Sequence, residues 1–285
     1  MDIINIILYI AIAFSGTVFG SFFTLAVHRI PKHQDITHER SYCPKCNHKL
    51  QFLDLIPVFS YIFLGGKCRY CKEKIRPRYL ILELCSGAFF LALAFARGIN
   101  IDTFYMLDKY WQNLVFYIID ILFVCAIFII AGIDKEYKKI PNSLIIYGFI
   151  VCIIRVILDI FICNLNGNSL TSMLIERLIG FGIPFISMLL IIAYSKIRKV
   201  EKAAIGMGDL KYLSILGLYF GISEFVAGLF ATMIIILFVL ICTLLVGIAK
   251  KEKDAFKKNI KDIEIPLGFY LAIPFSILMI ILPIF

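Results

Sequence analysis

Charge is scarce in this chain. Of its 285 residues only 17% are Asp, Glu, Lys or Arg, and 61% are hydrophobic, whereas a soluble domain carries about a quarter of its residues as charges. The shortage is concentrated. Ile4–Val27 holds no charged residue at all, and a run of that length exceeds the roughly 20 residues needed to span a bilayer. The same stretch lacks a basic start and a small-residue cleavage site, and it is too long for the apolar core of a signal peptide. A retained membrane helix is the expectation. No internal repeat and no low-complexity tract is evident, which leaves a helical bundle around one hydrophilic insert.

Further apolar runs cover Tyr79–Ala96, Leu114–Ile133, Ser143–Cys163, Leu178–Tyr194, Phe225–Ala249 and Pro266–Phe285, with a short one at Leu210–Phe220. The short run reaches only about 16 Å as a helix, against a core of about 30 Å. It must tilt, lengthen or enter the membrane partway, so seven or eight helices are expected. Basic residues set the orientation. The linkers His28–Arg78, Asp134–Pro141, Lys196–Gly208 and Lys250–Ile265 hold 11, 3, 4 and 6 Lys plus Arg, whereas the alternate linkers hold only Arg97, Lys109 and Arg177. Basic linkers stay cytoplasmic, which favours eight crossings with both termini outside. Topology then accounts for the net charge of +9, and no nucleic-acid partner is needed.

Nine cysteines do not imply a disulfide scaffold here. Cys85, Cys125, Cys152, Cys163 and Cys242 are scattered through apolar runs, where a thiol acts as a small hydrophobe. The other four form Cys43-Pro-Lys-Cys46 and Cys68-Arg-Tyr-Cys71 in the insert. Each pair can turn two thiolates toward one point, and two pairs complete the tetrahedron of a structural zinc site. The separation is one residue beyond the usual window of about 15–20. A lone Cys-x-x-Cys would leave a redox role open; two pairs within one loop point to metal. The insert has few apolar residues, so metal binding would supply part of its folding energy.

Two aspartates lie at the ends of apolar runs. Asp134 closes the third run, ahead of Pro141-Asn142, and Asp209 opens the short one in Gly206-Met-Gly208-Asp209-Leu-Lys211. The basic-linker topology puts both at the cytoplasmic boundary, at one membrane depth. Two carboxyls sharing a site cannot both ionise cheaply, so one stays protonated and the pair can act as acid and base. Gly206 and Gly208 cost helix stability but let backbone or an extended substrate approach Asp209. Other charges in apolar runs read as structural. Arg155 and Asp159 are four apart and face each other on one helix. Asp120 lies toward the outer side, Glu83 faces the cysteine insert or the dyad, and His28 with Arg29 reads as a headgroup contact.

These residues resemble the bifunctional type IV prepilin peptidases, which are intramembrane aspartyl proteases with a second, N-methyltransferase activity. Gly20-Ser21-Phe22 through His28-Arg29-Ile30-Pro31 looks like that family's first-helix signature. The cysteine pairs flank Ile56-Pro57-Val58-Phe59-Ser60-Tyr61 and precede Arg78-Tyr79 and Glu83, as in the family. Asp134 with Pro141-Asn142, and Gly206-x-Gly208-Asp209-x-Lys211, resemble its two catalytic motifs. Thr24 and Phe52 depart from it, standing where members usually carry Asn and Trp. The resemblance implies an aspartic endopeptidase that cuts the basic leader of prepilins or pseudopilins after a glycine, at the cytoplasmic face of the inner membrane. It also implies methylation of the new N-terminus from S-adenosylmethionine, for which no glycine-rich fingerprint marks a site. Glu136 and Glu201 are carboxylates able to meet a basic leader. The expected organisation is a first helix at 1–27, a tetra-cysteine module at 28–78 and a bundle carrying the dyad at 79–285. The rival reading is a transporter with a zinc-stabilised cytoplasmic module and the aspartates as cation sites.

Overall fold

The computed structural model describes residues 3–36, 40–43, 45–166, 170–198, 206–249 and 266–282. Among them the fold is all-α, with two isolated antiparallel bridges and no strand. The helices are α1 (Ile3–Arg29), α2 (Phe59–Phe63), α3 (Arg78–Ala96), α4 (Ile101–Tyr105), α5 (Leu107–Tyr137), α6 (Asn142–Asn166), α7 (Leu170–Arg198), α8 (Met207–Phe220), α9 (Ile222–Ala249) and α10 (Leu267–Ile281). Six of them, α1, α3, α5, α6, α7 and α9, are long and apolar enough to cross a membrane. The chain is a multi-pass membrane protein. The other two apolar helices, α8 and α10, have 14 and 15 residues. They rise about 21–22 Å, short of a full core.

Each apolar run carries a helix among the described residues, but the bounds shift where charges are satisfied. α7 starts eight residues before Leu178 because Arg177, on its third turn, is neutralised inside the protein. α5 runs through Asp134 to Tyr137, so that aspartate is helical rather than just past the helix. The basic linker at 250–265, Glu201 and the side chain of Cys163 lie outside the described residues.

The chain forms two compact units, Met1–Gly132 with Met279–Phe285, and Ile133–Leu278. In the first, α1 packs along α3 at very short range. A Cβ added to Gly16 would sit 2.8 Å from the Cα of Gly87, and one on Gly20 would sit 2.7 Å from the Cα of Glu83. Small residues at such an interface give membrane helices close packing, which replaces the hydrophobic drive lipid cannot supply. Arg97 donates to Asp120 at 2.6 Å and to the carbonyls of Leu282 and Met279. That pair absorbs the unexplained Asp120. In the second unit α8 lies against α7, with Gly180 and Gly217 in backbone contact. Arg155 meets both oxygens of Asp159 at 3.2 Å, as its spacing suggests. Arg177 donates to the same carboxylate at 2.5 Å and to the carbonyls of Leu218 and Tyr219. It thus caps the C-terminal end of α8 with a cation.

Candidate functional site

Asp134 sits in the last turns of α5 and Asp209 in the first turn of α8, both within the second unit. Gly208, next to Asp209, lies against Ile140 in the turn that follows Asp134, and Asp209 stands within the field of the Asp134 charge. Burial first, and that charge second, push the Asp209 carboxyl up to about 6. Each member has a different neighbourhood. Asp134 is buried, and its Oδ2 accepts from the backbone N–H of Phe269 at 3.2 Å. Phe269 lies in the first turn of α10, so Asp134 faces the positive end of a helix, where anions are stabilised. Gly268 permits that approach, since a Cβ there would lie 3.2 Å from the same oxygen.

The motif residues around Asp209 have separate tasks. Gly206 is the N-cap of α8 in extended conformation, and a Cβ on it would come 2.7 Å from Asp209 Oδ2. Gly208 makes room in the other direction: its Cβ would lie 3.1 Å from Cβ of Ile140, in the turn between α5 and α6. Lys211 donates to Asn142 Oδ1 at 2.9 Å and ties the start of α8 to the start of α6. Lys135 stands over the ring of Phe269 at 4.2 Å, which couples the end of α5 to α10.

Sequence reasoning missed Gly268, Phe269 and Tyr212. Tyr212, one turn after Asp209 on the same face, stands in the field of Asp134. It is fully buried, and its hydroxyl has no hydrogen-bond partner among the described residues. Pro266-x-Gly268 at the head of the last apolar run was the available signal, because proline favours helix starts and glycine close approach.

The four module cysteines converge, with sulfurs within 4.8 Å of one another. Their turns are built alike. Cys43 N donates to His48 O and Asn47 N to Cys43 O, while Cys68 N donates to Glu73 O and Lys72 N to Cys68 O. Asn47 and Lys72 take positive φ, and bridges join Tyr42 with Lys49 and Lys67 with Lys74. The pattern recurs at a constant offset of 25 residues, a structural repeat that the sequence hides. A tetrahedral ion with Zn–S of about 2.3 Å separates thiolates by about 3.8 Å, and Cys43 and Cys71 stand 3.8 Å apart. The donor set therefore fits a four-thiolate metal. Two other residues resolve beside it. Glu83 accepts from Val58 N at 2.8 Å, so it faces the module. Arg29 is buried and donates to the carbonyls of Asp35 and Arg40, so it holds the start of the module and is not a headgroup contact.

Two interacting carboxyls on helix ends of a membrane bundle are the arrangement that metal-free peptide hydrolysis by an acid–base pair requires. Residues 14–97 match the family model described as the bacterial peptidase A24 N-terminal domain, and residues 121–248 match the type IV leader peptidase family. The chain belongs to the type IV leader peptidase family. It is 29% identical to a prepilin leader peptidase/N-methyltransferase of Vibrio cholerae over 84% of this chain and 86% of that one. Proteins of the same name from Bacillus subtilis and Klebsiella pneumoniae are 27% and 26% identical. They match over 77% and 73% of this chain and 77% and 82% of their own. These relatives remove the ground for a transporter. No solved structure is a significant match.

Proposed function

We propose that this chain cleaves the leader of type IV prepilins or pseudopilins with Asp134 and Asp209 as its catalytic pair, and then methylates the new N-terminus. The single observation that carries the peptidase reading is the placement of Asp209, in the first turn of α8, within the field of Asp134, which accepts from the first turn of α10. Asp134, hydrogen-bonded by backbone N–H of α10, is the ionised member and general base. Asp209, raised by burial and by its partner, is the protonated member and general acid. Asp134 takes a proton from water as the oxygen attacks the scissile carbonyl, and Asp209 gives its proton to the carbonyl oxygen. Collapse of the diol breaks the C–N bond and returns a proton to the leaving amine. Gly206 keeps the approach to Asp209 open, Gly208 lets the turn at Ile140 lie close to α8, and Lys211 fixes the start of α8.

The four cysteines would hold a structural Zn²⁺, which closes the module at 28–78 without taking part in the chemistry. S-adenosylmethionine is the methyl donor the relatives' names imply, and no residue is assigned to it. The basic linkers support placing the pair at the cytoplasmic face of the cytoplasmic membrane. The test is cleavage of a short pilin-like precursor in membranes. Asp134→Asn and Asp209→Asn should each lower the rate by about 10²–10⁴ while the protein still inserts. A variant that cleaves at the wild-type rate removes that residue from the pair. Methyl incorporation into a pre-cleaved pilin peptide tests the second activity, and wild-type incorporation at background would leave a peptidase alone.

A further inference from the structure

The module carries a hydrophobic edge that nothing among the described residues covers. Phe52 and Leu53, in a short 3-10 turn, are 79% and 59% exposed; Phe59, Ile62 and Phe63, on α2, are 51%, 62% and 84% exposed. Positions 59, 62 and 63 share one helix face by their i, i+3, i+4 spacing. The inner face of α2 is used: Tyr61 donates to the carbonyl of Ile75. Soluble surfaces do not leave such a cluster of large side chains in water without a partner.

The edge is held rigidly. Gln51 and Asp54 form a reciprocal cap on the 3-10 turn, and Asp54 accepts from Arg69 at 2.6 Å in the second cysteine turn. Hydrogen bonds from Gln51 and Arg69 hold the Asp54 carboxyl below its ordinary range, although its burial opposes them. α2 is fixed from the other side by the bond from Val58 N to Glu83. Glu83 stands five residues into α3, about 8 Å along that membrane helix from its start. α2 is therefore anchored at the level of the first turns of α3. There the outer faces of α1 and α3 already show lipid-facing side chains, among them Phe22 and Ile81. The segment that carries the edge is basic. The segment His28–Arg78 holds eleven Lys and Arg against four Asp and Glu.

We propose that the Phe52–Phe63 edge is a membrane wedge, which buries its apolar side chains at the headgroup–acyl boundary while the surrounding Lys and Arg engage anionic lipid headgroups. An amphipathic element with a basic rim binds interfaces in this way. Two membrane helices tether the module at both ends, so this surface is supplied to it at no diffusional cost. The proposal rests on the membrane character of the chain and not on its peptidase chemistry.

The protein has one tryptophan, Trp111, which allows a depth measurement in the full-length chain. In a Trp111→Phe background, Phe63→Trp and separately Phe52→Trp report on the edge, and Tyr42→Trp reports on the first cysteine turn. Each protein is reconstituted in phosphatidylcholine vesicles with and without phosphatidylglycerol. Lipids brominated near the top of the acyl chain should quench the two edge indoles more than about twofold above the Tyr42→Trp control. Aqueous acrylamide should show the reverse order. Phosphatidylglycerol should strengthen the lipid quenching. Equal acrylamide quenching at all three positions overturns the wedge. Protection from acrylamide without lipid quenching also overturns it, and assigns the edge to a protein surface such as a substrate helix or a second copy. Lipid quenching unchanged by phosphatidylglycerol overturns the part given to the basic rim. Both edge side chains point away from the protein, so loss of one variant on insertion leaves the other to decide.

Discussion

The carboxylate of Asp134 is hydrogen-bonded by the main chain of Phe269, 135 residues further on. A side chain at the end of one helix thus depends on a backbone donor at the beginning of another, and no substitution of Phe269 other than proline would remove that donor. The sensitive position is its neighbour. Gly268→Ala places a methyl 3.2 Å from Asp134 Oδ2, tighter than ordinary contact. Precursor cleavage should fall by about tenfold, the equivalent of about 1.4 kcal/mol, with the loss in kcat. A wild-type kcat in Gly268→Ala would show that α10 does not position the base.

The pH dependence of stability should show the strain of the pair. Asp209 titrates at about 6 in the folded protein, above the roughly 3.9 of an unfolded chain. Between those values the native state binds more protons than the unfolded state, so stability is fullest below about pH 4 and falls as pH rises toward 6. Asp209→Asn removes the titrating group. Its thermal midpoint should exceed that of wild type at pH 7 and match it at pH 4. A variant with no gain at pH 7 would contradict the raised carboxyl.

Removing the metal tests the cysteine cluster directly. Purified protein should contain about one zinc per chain, and Cys43→Ser or Cys71→Ser should lower that content and speed alkylation of the remaining module thiols. Zinc-free protein with all four thiols quickly alkylated would exclude the site.

Arg177 provides a test far from the pair. Its guanidinium holds Asp159 and two carbonyls at the C-terminal end of α8, the helix that carries Asp209 in its first turn. Arg177→Met leaves the two carbonyls without that donor and Asp159 with Arg155 alone, and breaking a buried pair costs about 3–5 kcal/mol. Thermal stability should fall accordingly, and cleavage should drop through kcat. An unchanged thermal midpoint would show that Asp159 needs only Arg155.

Much of this was legible in the sequence because the bilayer makes the rules strict. Uninterrupted apolar runs had to be helices, and Asp134 and Asp209 stood out because carboxylates at such boundaries are costly. The four cysteines announced themselves by spacing. What stayed hidden depends on partners that spacing does not encode. The Arg97–Asp120 pair joins the residue that caps the end of α3 to α5, 23 positions on, whereas Arg155–Asp159 was readable from one helix. Phe269 contributes a main-chain N–H, which every residue but proline possesses, so its side chain gives no sign of its role. The two cysteine turns share backbone hydrogen bonds while differing at almost every side chain between the cysteines, which is why no repeat showed.

That repeated turn has a consequence for timing. Each turn closes through its own short-range hydrogen bonds, so the first can form once His48 has been made and the second once Glu73 has. All four sulfur donors precede α3, and domains form from the N-terminus during synthesis. Capture of an ion can therefore lock the module while the ribosome is still working on the helices downstream. Asp134 lies more than sixty positions beyond Cys71. On the proposed reading of both sites, the nascent chain would carry a metal-closed head before either Asp134 or Asp209 exists, so an incomplete translation product would be folded at its front and would still lack the acid and base of cleavage.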